Sequence, residues 1–160
     1  RCPKPVVALV HGHSVAGGAG LATAADIVLA RSDAVFGYPE IHLGFVPAMV
    51  MALLRRSVGE KVAFDLATGG HRFDAAEAQR LGLVNRVWSE DAFDAEAAAF
   101  LEGLAGRSAS ALALIKRLLY GSEGLSFEDA IARGAEANAL ARMTPDTLAG
   151  MRRFLDRRRP

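Results

Sequence analysis

The stretch Val10–Gly20, VHGHSVAGGAG, gathers residues whose types and spacing could do chemistry, and it admits three readings. The first is a nucleophilic serine. Gly12-x-Ser14-x-Ala16 follows an apolar run and is near the G-x-S-x-G nucleophile elbow. A serine there needs a histidine base that is itself oriented by a carboxylate. In that arrangement the histidine closes the chain order, yet the last histidine here is His71, with 89 residues after it. Ala16 also puts a methyl where the sharp turn calls for glycine. A bland role for Ser14 is a hydrogen bond within its own turn. The second reading is a phosphate cradle. No G-K-[ST] follows the glycines, and their spacing is not G-x-G-x-x-G.

The third reading is an oxyanion pocket. Gly17 and Gly18 lack a Cβ, so a carbonyl oxygen can approach their backbone closely. A helix starting at this point has unpaired N–H groups at the positive end of its dipole. Such donors stabilise negative charge that develops on a thioester oxygen. Close helix–sheet packing explains the same small residues without chemistry.

Beyond this stretch, Glu40 in YPEIHLG stands among apolar residues. An isolated glutamate is usually a solvated turn residue. As a positioned acid/base it would move a proton near such a pocket. His11-x-His13 has metal-pair spacing on a strand, but no Cys or acidic residue is close in sequence, so no metal is expected. The tail RRFLDRRRP carries five arginines, which ordinarily marks a solvated end.

These residues belong to a chain of 160 residues, half of it hydrophobic, long enough for one domain with a core. A net charge of +1 gives no broad attraction to nucleic acid or to anionic membranes, and neither is expected as a partner. The single cysteine, Cys2, excludes an internal disulfide and fits a reducing compartment, hence a cytoplasmic expectation. No apolar run approaches the roughly 20 residues of a membrane span. The start, RCPKPVV, lacks the apolar centre of a signal peptide and an initiator Met. It runs almost at once into a buried-type strand, so the chain is expected to be the later part of a longer protein.

The elements that must position the chemistry follow from periodicity and punctuation. Val6–Val10 is a continuous β-branched run and predicts a strand buried on both faces. GGAGLATAA, residues 17–25, predicts a closely packed small-residue helix, and DIVLA, 26–30, a second buried strand. Residues 34–47 hold two Pro and two Gly and read as short extended pieces and turns. Pro47 opens a helix that Gly59 closes, and EKVAFDLATGG predicts a helix ending at Gly69. Asp74 and Glu77 have capping-box spacing, with Gly82 at the far end. LVNRVW, 83–88, reads as a strand, and from about 92 onward the pattern is helical alone. There Leu112, Ile115, Leu118 and Leu119 form one apolar stripe, Ser126 and Asp129 cap a helix carrying Phe127, Ala130 and Ile131, and Thr144–Pro145 start a last helix with Leu148, Met151 and Leu155 on one face.

KPVVALVHGHSVAGGAGLATAADIVLA, then FGYPEIHLGFVP, then GLVNRV resembles the crotonase family, the enoyl-CoA hydratases and isomerases. The likeness covers nearly the whole chain and corresponds to the later part of a family member. It implies an α/β fold: residues 1–95 as the later part of a β-β-α spiral core, and 96–160 as a helical region used in homotrimer or dimer-of-trimers packing. It implies an acyl-CoA substrate, coenzyme A being part of that substrate, and no separate cofactor. It matches Gly17 to an oxyanion-hole amide, flanked by Ala16 and Gly18, with the second donor on an earlier loop. It matches Glu40, after Pro39, to an acid/base. Phe154 and Arg157 become candidates for contact with the CoA of a neighbouring subunit, and Asp26 is read as a structural hydrogen-bonding residue at the next strand's start.

Gly20 falls where hydratases commonly carry a first catalytic glutamate. One carboxylate suits a double-bond shift, which takes a proton at one carbon and returns it at another, better than two-carboxylate hydration. Both reactions stay open on the sequence, as do a non-catalytic acyl-CoA-binding member and the Ser14 hydrolase. The 160 residues alone are expected to be inactive or very weak.

Overall fold

The structure is a computed structural model that describes residues 2–156. The described chain divides into two compact units: Val6–Leu101, and a second made of residues 2–5 with residues 102–156.

The first unit is α/β. Its first sheet has the order β1 (Val7–Val10), β3 (Ile27–Arg31), β6 (Arg86–Trp88), all parallel. Its second has the order β2 (His13–Val15), β4 (Val35–Gly37), β5 (Arg72–Asp74), with β2 and β4 parallel and β5 antiparallel. Helices α1 (Gly17–Ala24), α2 (Ala48–Val58), α3 (Glu60–Gly69) and α4 (Ala75–Arg80) join the strands, and α5 (Glu90–Ala105) follows β6. The core collects Val28, Phe36, Tyr38, Leu54, Leu66 and Phe73 among others.

The buried centre of β3 agrees with its sequence, but β1 is not buried on both faces. Val6 is 45 % exposed and Leu9 42 %. β1 has β3 as its one strand neighbour among the described residues, so one edge and part of one face stay open. The strand read over 83–88 is shorter: Leu83 and Val84 are buried in the approach, and the ladder starts at Arg86. Asn85 explains the late start. Its side-chain Oδ1 accepts the Val28 N–H at 2.7 Å while its own N–H donates to Val28 O at 2.8 Å. A side chain thus completes the sheet where the backbone has not yet come into register. Asp26 acts at the same end of the sheet between β1 and β3, accepting the Val6 N–H at 2.6 Å.

Asp74 caps α4 by accepting the Glu77 N–H at 2.8 Å. The reciprocal half of the capping box is not made, because the Glu77 carboxylate pairs with Arg80 instead.

The second unit carries α6 (Ala109–Gly121), α7 (Phe127–Arg142) and α8 (Pro145–Asp156). Ser108 caps α6, and both its hydroxyl and that of Ser110 donate to Asp146 in the first turn of α8, at 2.6 and 2.9 Å. These bonds hold the Asp146 carboxyl below its ordinary range. Ser126 caps α7 as expected. None of the three helices has a fully buried residue among those described. The stripe on α6 is accordingly split: Leu112 and Leu118 are partly buried, whereas Ile115 and Leu119 are exposed. Leu148, Met151 and Leu155 of α8 are exposed as well.

Candidate active site

Residues 10–20 form the end of a strand, a second short strand, a strained turn and a helix start. Ser14 is the middle residue of β2, 7 % exposed and paired with Phe36 in the ladder. It is therefore not the apex of a turn, which removes the geometry a nucleophile elbow needs. His13 lies on β2 while His11 lies outside any strand, its ring 6.5 Å from that of Phe93. The two do not share a strand face. No group of three or more His, Cys, Asp or Glu side chains arranged for a metal occurs among the described residues.

The chain turns at Ala16, which has φ 53° and ψ −122°. This is the one positive φ outside glycine among the described residues. An L-residue there carries strain of order 1 kcal/mol, and such strain persists where surrounding structure fixes it. The Ala16 N–H is fixed by donation to Gly37 O at 2.9 Å. Helix α1 then begins at Gly17. Its first intrahelical bond is Gly20 N–H to Ala16 O at 3.0 Å, and no side chain caps it. The N–H groups of Gly17, Gly18 and Ala19 make no hydrogen bond among the described residues. They are the orphan donors of a helix start.

The glycines divide in function. A Cβ on Gly17 or Gly18 would meet nothing within 4 Å, so close packing does not account for them. A Cβ on Gly20 would lie 2.6 Å from Val50 Cγ2 on α2, so close packing does account for that one. Gly18 also lines an open trough of about 610 Å³ that runs beside β1 through Leu9, His11, Ser14 and Leu21.

Glu40 reaches the same side of the sheet by a parallel route. Strand β4 pairs with β2 in the register His13–Val35, Ser14–Phe36, Val15–Gly37. Because the strands are parallel, both leave the sheet at the same edge. Gly17 is two residues past the last pair and Glu40 three. Pro39 and Glu40 open a 3-10 helix, Pro39–Leu43, whose end at Gly44 is left-handed with φ 71°. Its position is held by His42, whose Nε2 lies 3.1 Å from Gly70 O, and by the Phe45 N–H, which donates to Glu40 O at 3.0 Å. Glu40 itself is half-buried, and its Oε2 is buried with no hydrogen-bond partner among the described residues. A buried carboxylate oxygen left unpaired is costly, and such atoms concentrate at working sites.

Two features here have no signature in the sequence. Tyr38, 1 % exposed, lies 2.7 Å through its hydroxyl from Thr23 Oγ1 on α1. Burial pushes its phenol above the ordinary range, the Thr23 bond opposes this, and the nearby Glu40 charge adds to it. Val50 is the second, filling the space beside Gly20. Phe154 lies on α8 in the helical unit, 55 % exposed, and Arg157 lies outside the described residues.

Comparison with known proteins gives a consistent result. A family model described as enoyl-CoA hydratase/isomerase matches residues 1–160. A Thermus thermophilus protein named "Putative enoyl-CoA hydratase" is 45 % identical over 158 residues, covering 99 % of this chain and 62 % of that protein. The 2,3-dehydroadipyl-CoA hydratase of Escherichia coli is 34 % identical over 158 residues, covering 98 % of this chain and 62 % of its own length. Among solved structures, an enoyl-CoA hydratase of Mycobacterium smegmatis superposes with a TM-score of 0.92 at 35 % identity, over 99 % of this chain and 62 % of that one. The chain thus spans somewhat under two thirds of the length of the relatives it matches.

Proposed function

The chain belongs to the enoyl-CoA hydratase/isomerase family, and from that premise we propose that it contributes to an enzyme acting on an acyl-CoA thioester through an enolate. The observation that carries the reading is the unpartnered, buried Oε2 of Glu40 on the strand exit next to the one that ends in the free Gly17 amide.

In this reading the Gly17 N–H donates to the thioester oxygen as negative charge develops there, a contribution of about 3 kcal/mol per donor. Ala16 and Gly18 shape the backbone on either side. Glu40 as carboxylate takes a proton from the carbon next to the carbonyl, and the C–H electron pair moves into the dienolate. The carboxyl then returns the proton at the far carbon of the original double bond, which leaves the new double bond conjugated with the thioester. A positioned acid/base of this kind is worth about 100- to 10,000-fold.

Isomerisation is the preferred reaction because it consumes no water and uses one carboxylate. Support comes from Gly20, on the same face of α1 as Gly17 one turn on, which offers no carboxylate and where even a Cβ would lie 2.6 Å from Val50 Cγ2. Hydration is the second reading, favoured by the names of the relatives. The family resemblance further suggests a homotrimer or dimer of trimers, and the exposed apolar side chains of α6 to α8 support packing against other copies. Phe154 and Arg157 near a neighbour's CoA belong to the same proposal, and the exposed, free Cys2 fits a cytoplasmic setting.

The test is an assay of the native full-length protein on a 3-enoyl-CoA and a trans-2-enoyl-CoA. Conversion of the 3-enoyl to the conjugated thioester is expected. Water addition to the 2-enoyl thioester with no double-bond shift would favour hydration. Binding without turnover of either would favour a non-catalytic acyl-CoA-binding role.

A further inference from the structure

A chain of hydroxyl hydrogen bonds links the residue two before Glu40 to the residue two after Gly17. Thr23 Oγ1 donates to Ala19 O at 2.7 Å. A threonine hydroxyl has one proton, so with that proton on Ala19 the 2.7 Å contact with Tyr38 is one in which the Tyr38 O–H donates to Thr23 Oγ1. The relay therefore runs Tyr38 O–H to Thr23 O–H to Ala19 C=O. Tyr38 immediately precedes the 3-10 helix that carries Glu40, and Ala19 lies in the first turn of the helix that begins at Gly17.

We propose that Tyr38 and Thr23 act together as positioning residues that fix the Glu40 carboxylate relative to the Gly17 amide. Apolar packing alone would leave this spacing soft. The 3-10 helix has no buried residue of its own among those described, so little core packing holds it in place. Tyr38 supplies what is missing, because its ring is in the core, 6.4 Å from that of Phe73, while its hydroxyl engages α1. Its fixed length between the two anchors acts as a strut. On the other flank His42 ties the 3-10 helix to Gly70, which steadies it against α3, and the Ala16–Gly37 bond sets the two strand exits, so the Tyr38–Thr23 pair adds a side-chain tie between α1 and the residue just before the 3-10 helix. A misplacement of about 1 Å between an acid/base and its substrate can cost about 100-fold in rate.

This inference rests on the enolate reading of the site, and its test is built to fail separately. Tyr38→Phe and Thr23→Val each delete one hydroxyl at nearly constant shape, Thr23→Ser keeps the hydroxyl, and all are made in the native full-length protein alongside Tyr38→Phe/Thr23→Val. Turnover of the enoyl-CoA thioesters is followed together with the carboxyl carbon resonance of Glu40. Expected are a fall in kcat of about 10- to 100-fold in either deletion with KM within about twofold, no further fall in the double variant, and recovery in Thr23→Ser. The Glu40 resonance shifts or broadens in both deletions and not in Thr23→Ser. A kcat within about twofold of the parent in both deletions, or losses that multiply in the double variant, overturns the proposal. If the parent turns over neither thioester the enolate reading fails, and the Glu40 resonance still decides the strut: unchanged in both deletions, it refutes it.

Discussion

The Ala16 N–H donates to Gly37 O at 2.9 Å, one step beyond the last ladder pair between β2 and β4. The residue before the free Gly17 amide is thereby bonded to the residue three before Glu40. Two short parallel strands, each of three residues, set the two groups on neighbouring exits. The same bond holds Ala16 at its positive φ, so the strained turn and the pairing of the two strand exits share this bond.

The junction between β3 and β6 depends on one side chain. Asn85→Ala removes the acceptor of the Val28 N–H, and Val28 is only 4 % exposed, so water does not readily replace it. An unsatisfied buried donor costs about 1–3 kcal/mol. Urea unfolding of Asn85→Ala is expected to show a loss in that range. Asn85→Asp, which keeps the acceptor, should lose less.

Gly20 sets helix propensity against packing. Gly20→Ala gains about 1 kcal/mol of helix propensity. Against this, the new methyl lies 2.6 Å from Val50 Cγ2, and a β-branched side chain in a helix has one strongly preferred χ1. Overpacking of this kind costs about 1–3 kcal/mol, so packing wins and a net loss of up to about 2 kcal/mol is expected. Val50→Ala in the same chain should relieve the clash, making the double variant more stable than the sum of the two single changes predicts.

Tyr38 gives the fold an alkaline limit. Its folded pKa lies above the ordinary phenol value of about 10, first because the ring is buried and then because Glu40 is negative. The folded state therefore holds the phenolic proton more tightly than the unfolded state does. That contribution is fully present below about pH 10 and is lost as pH rises through the folded value. Above about pH 10 the urea midpoint of the parent should fall more steeply than that of Tyr38→Phe, which has no proton to lose.

Local features of this architecture are legible in the sequence and distant pairings are not. The small-residue helix after β2, the helix that Gly59 closes and the Asp74 and Ser126 caps obey short-range rules of spacing and capping. The Ser108 cap obeys the same rule without being among the expectations drawn from the sequence. Val6–Val10 reads as buried on both faces and is not, because an apolar run records what a strand can bury, not which neighbours are present. The Tyr38–Thr23 bond spans 15 residues and the Asn85–Val28 bond 57, and in each case neither residue type signals its partner. Gly20 is legible as a departure from the family pattern, but Val50 as the group that fills its space emerges only with the packing of α2 on α1. Gly17 and Glu40 are visible through the resemblance, and the register that sets them on neighbouring exits requires the fold.

Glu40→Gln in the native full-length protein tests the central claim most directly, since it keeps the shape and removes the proton-accepting charge. Turnover of the enoyl-CoA thioester should drop by at least about 100-fold while thioester affinity stays within a few-fold of the parent. Turnover within a few-fold of the parent would contradict the account, because the proton would then be moved by some other group.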